Sequence, residues 1–368
     1  TVNLKAGDNF LTKLGNNGDL TTWTVVTDAT ALQNIPLSGN YVLGTDIDAS
    51  GITNWIPIGD DTTSFGGTFD GLKHTISKLT INTPNDDYVG LFGDIGVGSI
   101  VKNVGVIDVD INAKYWVGAI AGKNEGTLEN VFSTGNVVGV SSVGGITGNN
   151  YILKNSYSLA NVTGTSTLGG LVGKNEELIQ TSYAAGTVTG TGSYIGGLVG
   201  QNRGATGDLA LIENSYALGN VSGDGYIGGF VGTNIYGTIS KSYSTGKVTG
   251  STNVGGFLGE NFTSQSTVVD SYWDSDSSTQ TLGLGLNNYG GATSITAVQS
   301  TTATVDAFNE ATYVGFDFAN TGEWYIQEGE IRPILRMEYD TTIRTSHQLQ
   351  LMEMDLTADY TLANDIDL

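Results

Sequence analysis

A short phrase of glycines and aliphatic residues returns seven times through the middle of this chain, and no other feature restricts its fold as tightly. The copies are VGLFG at Val89, VGAIAG at Val117, VGGITG at Val143, LGGLVG at Leu168, IGGLVG at Ile195, IGGFVG at Ile227 and VGGFLG at Val254. Their last glycines, Gly93, Gly122, Gly148, Gly173, Gly200, Gly232 and Gly259, follow one another at steps of 29, 26, 25, 27, 32 and 27 residues. A period of about 20 to 50 residues belongs to stacked-repeat architectures, in which one unit cannot bury its own apolar face and must lean on the next.

A second segment recurs between the glycine phrases: ENVFSTGNV (129–137), KNSYSLANV (154–162), QTSYAAGTV (180–188), ENSYALGNV (213–221) and SKSYSTGKV (240–248), with a sixth copy starting VDSYWD at Val269. Val, Ile, Thr and Tyr alternating with small residues and closed by Gly or Asn is strand-and-turn vocabulary. The 54 glycines would cost a helix about 1 kcal/mol each. The chain is therefore expected to be all-β, with strands of four to six residues wound into a right-handed parallel β-helix (a β-solenoid), since parallel crossovers are overwhelmingly right-handed. About seven glycine-phrase coils, each rising roughly 4.8 Å, form its centre.

Two columns of this helix attract functional readings. Asn stands two places after the last Gly in six copies, at Asn124, Asn150, Asn175, Asn202, Asn234 and Asn261. Stacked Asn forms amide ladders and tolerates the left-handed turn conformation, so these residues are read as a structural corner rather than a ligand site. The repeated aromatic, Phe132, Tyr157, Tyr183, Tyr216, Tyr243 and Tyr272, is read first as packing on itself. An exposed ladder of Tyr157, Tyr183, Tyr216 and Tyr243 would instead stack on sugar rings. Arg203 joins that candidate ligand surface. It is the only Arg before residue 332 and lies in an insertion at Gln201–Leu211 that accounts for the 32-residue step.

Around the repeats the chain divides into preceding strands (1–26, with a turn at Asn16–Gly18), a lead-in module (27–87), the repeat region (88–275) and an irregular closing segment (276–335). The closing segment is expected to hold a short helix near 304–311 and a strand pair within 316–335. A last stretch covers 336–368, where LTADYTLANDIDL (356–368) echoes LSGNYVLGTDIDA (37–49) at an offset of 319 residues. Tyr360 matches Tyr41, Asp365 matches Asp46 and Asp367 matches Asp48. That echo is expected either to start a second unit or to pair with a neighbouring copy.

Composition narrows the chemistry. There is no cysteine, hence no disulfide framework and no thiol site. No leader-like stretch stands at Thr1, so any targeting segment is expected to have been removed or to lie upstream, and no apolar run is long enough to span a membrane. A net charge of −22 argues against nucleic acid and anionic membranes as partners. No cofactor is expected. Ca²⁺ is the one cation the acidity invites, with Asp46 and Asp48 or Asp274 and Asp276 as weak candidates and Asp108 with Asp110 as a third pair. Asn161, Asn220 and Asn261 stand in glycosylation sequons. The two histidines, His74 and His347, belong to no metal or nucleophile motif, and His74 is read as a packed or rim residue. No catalytic residue is assigned. Paired carboxylates on a groove, as in polysaccharide-cleaving enzymes, remain the enzymatic alternative.

The (V/I)GG(L/F)VG phrase with its NSY–GxV partner strand resembles the GLUG repeat. The segments YVLGTDIDAS, NWIPIGD and FGGTFDGLKHTISKLTI before the repeats, and SYWDSDSS to WYIQEGEIRPIL after them, match what flanks such repeats, so the likeness covers about residues 27–336. GLUG repeats occur in large secreted proteins similar to filamentous haemagglutinin, in IgA-specific metallopeptidases and in surface proteins. The metallopeptidase chemistry is not carried over, because HExxH is absent here. The resemblance implies an extracellular, cell-surface adhesin segment without catalysis. Its expected partners are host or neighbouring-cell glycans, matrix polysaccharide, or further copies of itself. The alternative is a fibre subunit joined by strand addition through the C-terminal segment.

Overall fold

The structure, a computed structural model, describes residues 2–300 and 305–366. The chain divides into two compact units, Thr1–Ala297 and Val298–Leu368.

The first unit is a parallel β-solenoid of about ten turns. A representative coil runs through strands Ser166–Gly169, Val172–Gln180, Tyr183–Ala184 and Val188–Gly190. The next coil lies on it in register: Leu168 pairs with Ile195, Val172 with Val199, Asn175 with Asn202, Ile179 with Ile212, Tyr183 with Tyr216 and Val188 with Val221. Equivalent residues of successive repeats therefore sit one above another, roughly 4.8 Å apart.

There are more turns than the seven glycine phrases because the lead-in segment winds as well. Tyr41 pairs with Thr24 on one side and Phe69 on the other, and Phe69 pairs with Val101. An antiparallel hairpin of Phe10–Lys13 with Leu20–Val26 precedes these rungs. At the far end Leu284–Asn287 lies parallel to Leu258–Asn261, and Thr293–Val298 extends the same sheet, so the stack runs past residue 275. The insertion after Gln201 divides one long strand into Val199–Arg203 and Ala210–Glu213. Both halves stay paired with Val172–Gln180, and register survives the loop.

Two expectations are corrected. Strands reach nine residues, as in Ala121–Glu129, instead of four to six. The repeated Asn does not turn the chain through a left-handed corner. It lies within the long strand, where the register shifts between Asn124 and Thr127 and between Asn150 and Ile152. The expected amide ladder does form. Each Nδ2 donates to the Oδ1 of the next rung, from Asn124 through Asn150, Asn175, Asn202 and Asn234 to Asn261, at 2.8–3.1 Å. These side chains are buried, and the shared bonds remove the penalty that an unpaired buried amide would carry. Left-handed backbone falls elsewhere, in one column through Asn103, Asn130, Asn155, Thr181, Asn214 and Lys241 and in another described below.

Aliphatic ladders fill the interior. Leu128, Leu153, Ile179, Ile212 and Ile239 form one and Val137, Val162, Val188 and Val221 another, all shut away from solvent. Each such side chain contributes about 1.5–3 kcal/mol on burial. A serine ladder backs the Tyr column: the amides of Ser156, Ser182 and Ser215 donate to the hydroxyls of Ser182, Ser215 and Ser242, at 3.2 Å each.

In the second unit the predicted closing strand pair is present as Trp324–Tyr325 antiparallel to Ile334–Leu335. Of the helix expected near 304–311, residue 304 lies outside the described residues, and Glu310–Thr312 forms one 3-10 turn. The C-terminal echo is structural as well as sequential. Thr342–Ile343 pairs in parallel with Thr361–Leu362 across a Thr345-capped helix, Ser346–Leu351. The first unit builds the same motif, with Val25 and Val26 paired to Val42 and Leu43 across an Asp28-capped helix, Ala29–Gln33. Asp367, matched to Asp48 in sequence, lies outside the described residues.

Candidate ligand-binding surface

The repeated aromatics do not form this surface. Phe132, Tyr157, Tyr183, Tyr216 and Tyr243 stack ring on ring at 4.8–5.1 Å with interplanar angles of 5–6°. The four tyrosines are at most 8% exposed. Both faces of each internal ring are already covered, so a sugar cannot lie on Tyr157, Tyr183, Tyr216 or Tyr243. Residue parity did not show this, because the left-handed residue before each Tyr resets which way the next side chain points.

A different column carries accessible aromatics. Tyr88, Trp116, Ser142, Thr167, Tyr194, Tyr226 and Asn253 occupy equivalent places, one residue before the Val, Leu or Ile that opens each glycine phrase. All seven have φ between 50° and 65°. The glycine ending each phrase makes room for this left-handed corner: a Cβ on Gly200 would lie 2.6 Å from the Thr167 carbonyl carbon and 2.7 Å from the Leu168 nitrogen. Tyr88 stacks on Trp116 at 4.7 Å and Tyr194 on Tyr226 at 5.3 Å, and all four are half-buried. Ser142 and Thr167 leave a gap of roughly 14 Å between the two pairs, three rungs of stacking.

Beside this column runs a polar one, set by the residue after each of those glycines. Its members are Asp94, Lys123, Asn149, Lys174, Gln201, Thr233 and Glu260, and their strands pair in that order. Lys123 bonds Glu125 at 2.6 Å, and Lys174 pairs with Glu176, which also accepts from Asn149 Nδ2 at 3.1 Å. Two carboxyls here are buried. Glu260 is raised above the usual carboxylate range by burial, against hydrogen bonds from Thr233 and Asn288. Asp94 is pushed up to about 6, chiefly by burial, with Lys123 opposing and Glu125, Asp61 and Asp60 adding. Its Oδ1 has no hydrogen-bond partner.

Where Tyr88 meets the lead-in module, an open cleft of about 470 Å³ lies between residues 54–60 and 83–89. Tyr88, Ile56, Pro57, Thr83, Asp86 and Asp87 are among the residues that line it. Nothing in the sequence marked it, since its two walls come from segments about thirty residues apart.

The remaining predicted residues are accounted for locally. Arg203 is exposed at the start of the inserted loop, close enough to Tyr194 to lower its pKa against the larger effect of burial. His74 is packed, 2% exposed, between Asp46 (3.3 Å) and the Val2 carbonyl (3.0 Å). Asp46 accepts from the Thr75 amide, Asp48 pairs with Lys78 at 2.9 Å, and Asp274 caps a short helix by accepting from Asp276 and Ser277 amides. Among the described residues no group of three or more His, Asp or Glu gathers as metal ligands. Asn161 and Asn220 are exposed, whereas Asn261 is locked in the amide ladder, where a glycan has no room.

Comparison with known proteins agrees with this geometry. The model of the GLUG motif matches residues 191–222 and 223–249, two consecutive coils of the stack. The chain carries GLUG-motif repeats. Over 134 residues, a third of this chain, it is 38% identical to Halomucin of Haloquadratum walsbyi, and over 100 residues it is 35% identical to a protein of Evansella cellulosilytica described as a Gly-rich membrane protein. The matched parts are 2% and 12% of those relatives' lengths. A crystal structure from Bacteroides ovatus, described as an immunoglobulin A1 protease, superposes with a TM-score of 0.54 at 20% identity, covering 86% of this chain and 93% of that one. At that identity the likeness concerns the fold, and it transfers no protease chemistry to these GLUG coils.

Proposed function

We propose that this GLUG solenoid is an extracellular, surface-displayed segment of a larger adhesin, giving reach and repeated weak contacts without catalysis. The observation that carries the reading is the stack itself. Buried Asn, Ser and Tyr ladders turn sequence repetition into a rigid stack whose side presents two half-exposed aromatic pairs, Tyr88–Trp116 and Tyr194–Tyr226, beside a polar column. Several weak sites on one stack raise avidity without any strong one. The relatives named as Halomucin and as a Gly-rich membrane protein fit display outside the cell. The partners proposed are neighbouring-cell glycans or matrix polysaccharide.

The test is retention of beads displaying the chain, at graded density, on surfaces coated with glycans or matrix polysaccharide. Retention rising steeply with density supports the reading, and retention no better than bare beads on every surface defeats it.

One observation favours a second reading, a fibre subunit. The strand–helix–strand motif at 342–362 repeats the one at 24–43, whose second strand goes on to pair in parallel with Thr68–Asp70. A strand from another copy would pair with the exposed Thr361–Leu362 in the same way. Filaments by electron microscopy, lost on deleting residues 356–368, would select that reading.

A further inference from the structure

We propose that the cleft between residues 54–60 and 83–89 is a saccharide site, holding one neutral sugar ring between Tyr88 and the Ile56–Pro57 edge. The inference deepens the attachment reading and rests on it for the ligand class. Its volume, about 470 Å³, lies within the ordinary range for small-ligand sites, about 300–1,000 Å³.

Both walls are built and held in place. Tyr88 is anchored by backbone bonds from its own amide to the Tyr115 carbonyl (2.9 Å) and from Val89 to Trp116 (3.0 Å). Trp116 lies flat on its ring at 4.7 Å. On the other side Trp55 is 1% exposed and donates its indole N–H to the Leu91 carbonyl at 3.1 Å. The next residue, Ile56, is therefore fixed, yet it is 66% exposed, a large apolar side chain that the fold leaves unused. An aromatic ring and a rigid aliphatic edge lining one cleft suit the apolar faces of a pyranose.

The polar groups suit its hydroxyls. Asn54 accepts from the Asn82 amide at 2.8 Å through Oδ1, which leaves its Nδ2 as a donor. Asp86 and Asp87 are exposed acceptors at the rim. A sugar hydroxyl both donates and accepts, so it uses all of these. An ammonium group would satisfy the carboxylates and leave Asn54 Nδ2, a donor, unused. The same carboxylates repel acidic sugars.

The experiment titrates the full chain with glucose, galactose, mannose, N-acetylglucosamine and glucuronate, reading ligand saturation-transfer NMR and tryptophan fluorescence. At least one neutral sugar is expected to bind, and glucuronate is not. Ile56→Ser, a surface change, and Tyr88→Ala are each expected to weaken binding about tenfold or more, with unchanged circular dichroism for Ile56→Ser. Binding by none of the neutral sugars overturns the inference, as does binding that Ile56→Ser leaves intact or binding of tetramethylammonium in place of sugars. If beads still attach while the cleft binds no sugar, the cleft inference fails alone and the attachment reading stands.

Discussion

Replacing Asp94 by Asn is expected to stabilise the solenoid at neutral pH, by an amount that grows with pH. Asp94 is 4% exposed, its Oδ1 has no partner, and its neighbours include the carboxyls of Glu125, Asp61 and Asp60 as well as Lys123. Burial lifts its pKa from 3.8 to about 6. A rise of roughly two pH units, at about 1.36 kcal/mol each, corresponds to about 3 kcal/mol. The folded chain then holds the Asp94 proton more tightly than the unfolded chain does. Stability therefore falls as pH rises from about 4 to about 6 and stays lower above that window. Asn is nearly isosteric and never ionises, so the variant escapes the loss. The assay is urea denaturation of parent and variant between pH 3.5 and 8. The difference should be near zero below pH 4 and reach about 3 kcal/mol in favour of the variant at pH 7. A variant less stable than the parent at pH 7 would refute the reasoning, because it would mean that attraction to Lys123 outweighs burial and that Asp94 is ionised and paired.

Three further outcomes are expected. Asn202→Ala removes the acceptor for Asn175 and the donor to Asn234 in the middle of the amide ladder, and should lower stability by about 2–6 kcal/mol in the same denaturation assay, at about 1–3 kcal/mol per orphaned group. Gly200→Ala drives a methyl into the Thr167 backbone and should cost about 3 kcal/mol or prevent folding, whereas Gly51→Ala, with open space around it, should be nearly neutral by thermal melting. In the second unit burial opposes charge on His347, but the Glu338 carboxylate, 3.0 Å from Nδ1, outweighs it and raises the ring's pKa above 6.5. The pair's contribution is then complete below about pH 6.5 and lost as pH rises through the raised value. An NMR titration of the ring should show that value falling in Glu338→Gln, and no change on that substitution would exclude the pairing.

The period, the all-β class and the amide ladder were legible in the chain because in-register parallel stacking places each repeat's residue directly over its predecessor. An Asn recurring two places after a glycine needs no further information to become a ladder, and Asn124 to Asn261 form one. The restart at residue 356 was legible as a repeated phrase, and in both copies a capped helix leads into a paired strand, with Tyr41 inside that strand and Tyr360 just before it. Tertiary structure alone decided which side chains face out. The left-handed corner is occupied by residues as unlike as Trp116, Ser142 and Thr167, so no residue type announces it. That corner leaves Tyr88 and Tyr194 half-exposed, while the separate left-handed column of Asn155, Thr181, Asn214 and Lys241 precedes the buried Tyr157–Tyr243 stack. The cleft beside Tyr88 and the burial of Asp94 likewise arise only where separate coils meet, because exposure and local dielectric depend on what packs across a residue and not on its place in a repeat.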